Sequence, residues 1–274
     1  MSSPRYVELQ VTSHFSFLRG ASSCEELFAQ AALAGIEAVA IVDRNSLAGV
    51  VRAHEAAKTT GVRLVVGCRL DLADGTSVLV YPTDRPAYSR LCRLLSLGKK
   101  RGGKARCVLE WPDLVAYGEG LIVALVPDLA DDECAFRLRR LRDAFGDRAY
   151  LALTLRRRPN DQLRLHELSN MATQMRVPTV VTNDVLFHEP ARRILQDVVT
   201  CIREGVTLFD AAEGGNEIGT VTSGGFGPSL GGPMAMAIIP ADIPDGTTVH
   251  AELRGRRIPV TVVPTPFVKP TYKR

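Results

Sequence analysis

No apolar run in the sequence approaches the roughly 20 residues needed to cross a bilayer, which excludes a membrane-spanning helix. The opening MSSPRYVELQ lacks the basic-then-apolar order of a secretory signal, so the cytoplasm is the expected compartment. No CxxC pair occurs. Cys24, Cys68, Cys92, Cys107, Cys134 and Cys201 are scattered, which argues for buried thiols over a disulfide framework or a zinc cluster. A strong charge bias is missing too. The net charge of +4 permits contact with nucleic acid without demanding it. What is present, 46% hydrophobic and 23% charged residues over 274 positions, is ordinary for a globular protein. The length suits one large domain, or a medium one with a small one attached.

From residue 7 to about residue 205, strand-like and helix-like segments alternate. YVELQV precedes a helix that opens at Ser23 with Glu26 three residues on, the spacing of a capping box, and Gly35 is placed to end it. AVAIVD is an apolar run of the kind a buried parallel strand shows, and LAGVVRAHEAAKTTG reads as a helix with a glycine stop. RLVVGCRL, SVLVYP, LIVALV, AYLALTL and TVVTND complete about seven strands separated mainly by helices, which argues for a parallel α/β barrel or open sheet. After FDAAEGGN the pattern changes. Residues 217–274 hold short β-branched segments between turn signals such as PDGT and RGRR, which predicts a small antiparallel barrel or sandwich. The expected domains are 1–212 and 213–274.

VTSHFSFLRGASSCEEL, AVAIVDRNSLAGVVRAHEAA, RLVVGCRLDL, YPTDRPAYSRLCRLLSLGKKR and VPTVVTNDVLFHEPARRILQDVVTCIREG, in this order, resemble one family. It is the polymerase-and-histidinol-phosphatase (PHP) domain of C-family bacterial DNA polymerase α-subunits, in their error-prone, damage-tolerant branch. The resemblance spans about residues 4–210 and implies a PHP-like (β/α)7 distorted barrel. Active members hold several metal ions through histidine, aspartate, glutamate and cysteine ligands. Closely spaced cations polarise a phosphodiester and supply hydroxide near neutral pH.

Carried over position by position, that ligand set is largely replaced. The opening H-x-H pair falls on Gln10 and Thr12, the histidine after Asp43 on Arg44, and a glutamate on Arg69. A later histidine falls on Ser77, and in the last Asp-x-His, Asp184 is kept while Leu186 replaces the histidine. Each added cation opposes a divalent ion by more than about 1 kcal/mol at a few ångströms. The resemblance therefore implies a vestigial site at Asp43 and Asp184 with no metal and no catalytic residue. Zinc or manganese is expected only if the site is active after all. Arg44 and Arg69 are expected to pair with Asp43 and Asp184. His14 and His188 lie next to lost ligand positions and could rebuild a site, while His54 and His166 fall in predicted helices and read as structural.

GKKRGGKAR, residues 98–106, reads as a glycine-rich loop in which Lys99, Lys100, Arg101 and Lys104 could touch a DNA backbone, or simply be solvated. The RRR at 156–158 reads the same way. In the tail, IGTVTSGGFGPSLGGPMAMAIIP and GTTVHAELRGRRIPVTVVPTPFVKP resemble the C-terminal barrel of glycine-cleavage T-protein, an aminomethyltransferase. That implies a folate-pocket relic at Tyr272. Asp242, Asp245 and His250 offer no candidate base, and glycines 224, 225, 227, 231 and 232 read as turn residues.

The palm, fingers and thumb of a polymerase do not fit within 274 residues, nor is the larger part of T-protein present. The favoured expectation is a non-catalytic scaffold tied to error-prone DNA synthesis, with DNA or polymerase and replisome proteins as partners. The alternatives are residual phosphoesterase or 3′–5′ exonuclease action, an aminomethyltransferase-related fragment, and a fusion of two gene fragments.

Overall fold

A computed structural model describes residues 6–104, 106–156, 160–204, 220–227, 232–239, 243–253 and 256–263. These fall into two compact units: 1–16 with 22–188, and 17–21 with 189–274. The junction expected at 212/213, and Tyr272, lie outside the described residues.

The first unit is built from β1 (Glu8–Val11), α1 (Cys24–Leu33), β2 (Ala38–Ile41), α2 (Val50–Thr60), β3 (Arg63–Val66), β4 (Cys68–Asp71) and β5 (Ser77–Pro82). Then follow α3 (Arg85–Gly102), α4 (Trp111–Ala116), β6 (Leu121–Leu125), α5 (Asp132–Phe145), β7 (Ala149–Thr154), α6 (Asp161–Gln174) and β8 (Thr179–Thr182). The helix signals in the sequence act as read. Ser23 Oγ accepts from the Glu26 amide at 3.2 Å while Glu26 accepts from the Ser23 amide at 2.9 Å, closing the capping box. Gly61 ends α2 in the left-handed region at φ 76°.

The strands form a parallel sheet β1-β2-β3 and a sheet β4-β5-β6-β7-β8. Single parallel bridges, Val11 to Val185 and Arg44 to Arg69, join the two sheets and wrap them toward a barrel. Two expectations are corrected. RLVVGCRL is not one strand but two, β3 and β4, which belong to different sheets and break at Gly67. A Cβ at Gly67 would stand 2.8 Å from both Tyr81 and Val42, so the crossing needs a residue without one. β5 also pairs antiparallel with both β4 and β6 rather than parallel, because only a short turn separates it from β4.

Alternate strand positions fill the inside of the sheets. Ala40, Val42, Leu79, Tyr81 and Ala124 are buried there with Leu9, Val65, Tyr150 and Val180 against them, and Tyr81 donates across to the Leu9 carbonyl at 2.5 Å. Outside, α1 and α2 pack on β1 and β2 through Leu27, Phe28, Ala53 and Ala56. Leu91, Leu94, Leu138 and Leu141 of α3 and α5 cover the second sheet. Each such fully buried side chain contributes about 1.5–3 kcal/mol. The first unit thus has the α/β architecture the sequence predicts.

The second unit contains α7 (Arg193–Glu204), β9 (Thr220–Gly227), β10 (Gly232–Ile238), β11 (Thr248–Leu253) and β12 (Arg256–Thr261). α7 packs on β9, and the strands form two antiparallel hairpins, β9-β10 and β11-β12. Gly224, Gly225, Gly227 and Gly232 are a further correction. They are strand residues, paired with Ala235, Met234 and each other, rather than turn residues. Dense glycine suggests turn chemistry, but an antiparallel ladder needs only the backbone N–H and C=O that glycine keeps. Gly231 lies outside the described residues.

Candidate functional site

The segment after β1, the segment after β2, the β4-β5 turn and the segment after β8 bring the expected positions together. Gln10 is 1% exposed, and its amide is satisfied on both sides. Its Nε2 donates to Asp184 Oδ1 at 2.7 Å, and its Oε1 accepts from Thr182 Oγ1 at 2.8 Å and Thr154 Oγ1 at 3.4 Å. Thr12, also buried, donates its backbone N–H to the Val185 carbonyl at 2.9 Å. Asp184 adopts a left-handed backbone at φ 49°, a conformation aspartate tolerates and other side chains mostly avoid.

Asp43 is buried and is held by amide and hydroxyl donors. Its carboxylate accepts from the Ser13 amide at 2.9 Å, the Ser13 hydroxyl at 2.9 Å and the Ser16 hydroxyl at 2.8 Å. Burial pushes its pKa up, and the serine hydrogen bonds oppose that shift without cancelling it.

The two arginines meet on a carboxylate that the resemblance did not single out, Asp71. Arg44 Nη1 lies 2.5 Å from Asp71 Oδ2 and Arg69 Nε 3.3 Å from Asp71 Oδ1. Ser77 completes the cluster by accepting from Arg69 Nε at 2.8 Å and donating to Asp71 at 2.6 Å. The expected pairing is therefore corrected in part. Arg44 does not pair with Asp43, whereas Arg69 Nη1 does stand 3.9 Å from Asp184. Burial alone would raise the Asp71 carboxyl, but the charges of Arg44 and Arg69 hold it below the usual range. Burial lowers the Arg44 guanidinium, and the nearby charge of Arg69 lowers it further. Asp71 had a sequence signal. Arg69 and Asp71 are two apart in a strand and so share a face.

The remaining candidates lie apart from this cluster or are otherwise engaged. Leu186 is half-buried. His14 Nδ1 contacts the Ser22 carbonyl at 3.2 Å, and His188 Nδ1 contacts the Ser22 hydroxyl at 2.8 Å. Among the described residues, no three histidine, cysteine, aspartate or glutamate side chains are grouped as metal ligands. The donor set does not suit a metal centre of the kind the fold family uses. Two fixed cations stand at its middle, and burial pushes the Cys24 thiol to about 11 and the Cys68 thiol higher.

The basic run is also corrected. Lys99, Lys100 and Arg101 form the last turn of α3, where cations suit the helix dipole, rather than a glycine loop. The helix continues because Gly98 lets Cys107 and Leu109 pack against it; a Cβ there would lie 2.6 Å from Cys107 Sγ. Arg101 is engaged in a two-point ion pair with Asp113, while Lys99, Lys100 and Lys104 are exposed. Arg156 pairs with Asp128 and donates to the Pro127 carbonyl at 2.9 Å; Arg157 and Arg158 lie outside the described residues. No described helix is long and apolar enough to cross a membrane.

Comparison with known proteins agrees with this architecture. The family model of the PHP domain matches residues 8–155, and that of the glycine cleavage T-protein C-terminal barrel domain matches residues 193–269. Error-prone DNA polymerase 1 of Agrobacterium fabrum is 73% identical over 211 residues, covering 77% of this chain and 19% of its own length. Error-prone DNA polymerase 2 of Rhizobium meliloti is 70% identical over 206 residues, covering 75% and 19%. The chain thus spans 19% of the length of these curated relatives. Two solved structures share the fold. A protein assigned as a metal-dependent phosphoesterase from Bifidobacterium adolescentis superposes with a TM-score of 0.52 at 15% identity, over 69% of this chain and 90% of its own. An amidohydrolase from Chromobacterium violaceum gives 0.53 at 14%, over 66% and 87%.

Proposed function

From the premise that the chain belongs to the PHP domain family, we propose that residues 1–212 are a PHP module of an error-prone DNA polymerase that acts without catalysis, as a docking or stabilising part, with residues 213–274 as a T-protein-like tail. One observation carries the reading. Arg44 and Arg69 meet on Asp71 where the fold family's ligand pattern calls for metal-binding groups.

Hydrolysis of a phosphodiester needs an activated water and charge stabilisation at the phosphate. Here Asp43 is capped by Ser13 and Ser16, Asp184 by Gln10, and Asp71 by two guanidiniums. Each of these three carboxylates is thus already engaged by neighbouring side chains. In this reading the module needs no metal cofactor and works in the cytoplasm. Its partners are the remaining parts of a polymerase or replisome, or a DNA backbone met by Lys99, Lys100 and Lys104. The relatives' names support the association with error-prone synthesis. The tail lacks a candidate base and is assigned no aminomethyl transfer.

The test is metal content by mass spectrometry on protein purified without chelator, together with cleavage of a single-stranded DNA 3′ end in manganese. The expected result is substoichiometric metal and no cleavage, with pull-down of polymerase components by the intact chain. Near-stoichiometric metal with cleavage abolished by Asp43→Asn would overturn the proposal.

A further inference from the structure

Positive charge is concentrated on one helix. Between Arg85 and Arg106 the sequence places eight cations and no carboxylate, so the rest of the chain nets −4 against a total of +4. Most of this stretch is α3. Leu91, Leu94 and Leu95 anchor the helix in the core. On its outer side, Arg85, Ser89, Arg93, Ser96 and Lys100 follow one another at intervals of three or four residues, and all five are exposed. At about 1.5 Å per residue this stripe runs roughly 22 Å.

A solvated helix face ordinarily carries opposite charges one turn apart, as α5 does through Glu133 and Arg137. α3 has no such pair. Arg90 reaches Glu119 and Arg101 reaches Asp113, both beyond the helix. Among the described residues, Arg85, Arg93 and Lys100 have no carboxylate partner. The helix dipole favours the cations of the last turn but disfavours Arg85 in the first. Ser96 turns its hydroxyl onto the Cys92 carbonyl at 2.8 Å, and both serines are small enough to let a strand approach between the cations. None of the large apolar side chains exposed among the described residues lies on α3. The face therefore lacks the apolar core of a protein interface, and the apolar side a membrane-bound helix would insert is spent on the sheet. What it fits is a hydrophilic polyanion.

We propose that this outer face of α3 is a sequence-independent contact surface for the sugar-phosphate backbone of DNA. Arg85, Arg93 and Lys100 neutralise phosphates and release their counterions, and no base edge is read. The inference rests on the reading above that a DNA backbone is a partner of this module. It moves the contact from the basic run 98–106 to the length of the helix.

The experiment is fluorescence anisotropy of a labelled mixed-sequence DNA duplex, and of its single strand, titrated with the full chain in chelator over a series of salt concentrations. Three neutralised phosphates predict that the logarithm of the binding constant falls against that of salt with a slope of about −3. Arg85→Gln, Arg93→Gln and Lys100→Gln should each weaken binding several-fold and reduce that slope by about one. These side chains are exposed, so the melting temperature should not move. Arg93→Lys keeps the charge and should keep the slope. Arg139→Gln makes the same charge change on the exposed surface of α5 and should leave binding unchanged.

No binding, or binding that survives the triple glutamine variant, would overturn the inference while leaving the metal-free scaffold standing. Polyglutamate that competes as well as DNA would overturn it too, by making the surface one for an acidic protein. Binding that appears only when manganese replaces chelator would overturn both.

Discussion

Gln10 joins Asp184 through Nε2 at 2.7 Å and Thr182 through Oε1 at 2.8 Å, so one neutral amide bridges a carboxylate and a hydroxyl. The amide is 1% exposed, and truncating it strands several buried polar groups at once. Gln10→Ala is expected to lower the free energy of unfolding by about 1–3 kcal/mol. Gln10→Glu should cost more, because it sets a second carboxylate against Asp184. Urea denaturation of the two variants checks this order; a Gln10→Glu chain as stable as wild type would show that the amide donor is not needed.

Asp71 links the sheets through Arg44 and contributes to the acid limb of stability. Its folded-state pKa lies below the unfolded value, so between the two the unfolded chain binds more protons. The contribution is complete above the unfolded pKa of about 3.9 and is lost as pH falls through the folded one. Asp71→Asn should therefore flatten the fall in stability below about pH 4. It should also cost about 1–3 kcal/mol at neutral pH, less than a fully buried pair because the carboxylate is 32% exposed. Melting temperature from pH 3 to pH 7 gives both readouts.

Much of the fold is legible because its signals are local. The Ser23–Glu26 box, the glycine stops and the apolar runs each act within a few residues. Gln10, Thr12, Arg44, Arg69, Ser77 and Leu186 stand out as proposed ligand replacements only against a family pattern. What the arginines bind instead depends on the Arg44–Arg69 bridge, a contact between segments that no local pattern announces. The same holds for Ser13 and Ser16, whose role appears only when the segment after β2 folds Asp43 over them. Lys99–Arg101 are less legible, because glycine beside lysine suggests a loop, whereas here Gly98 serves packing inside a helix.

Gly67 offers a test of the barrel that is independent of charge. The chain passes there from one sheet to the other, with Tyr81 and Val42 each 2.8 Å from where a Cβ would be. Tyr81 cannot retreat without giving up its hydrogen bond to Leu9. Gly67→Ala is expected to destabilise the protein by about 1–3 kcal/mol, as an overpacked core does. Tyr81→Phe combined with Gly67→Ala should recover part of that loss. If Gly67→Ala melts like wild type, the crossing does not depend on the close approach.

Asp43 gives the opposite pH signature to Asp71. Its folded-state pKa is raised, so above the unfolded value the folded chain holds the proton more tightly, and stability falls as pH rises toward the folded pKa. Ser13 and Ser16 limit that penalty by donating to the ionised carboxylate. Ser13→Ala with Ser16→Ala removes both hydroxyl donors and leaves only the Ser13 amide. The pKa then rises further, and the stability deficit of the double variant should be larger at pH 7 than at pH 4, by about 1–3 kcal/mol. Asp43→Asn in the same background removes the charge and should abolish the pH dependence of the deficit. A deficit equal at both pH values would mean that the serines act through packing and that Asp43 is not held as a buried carboxylate by their hydroxyls.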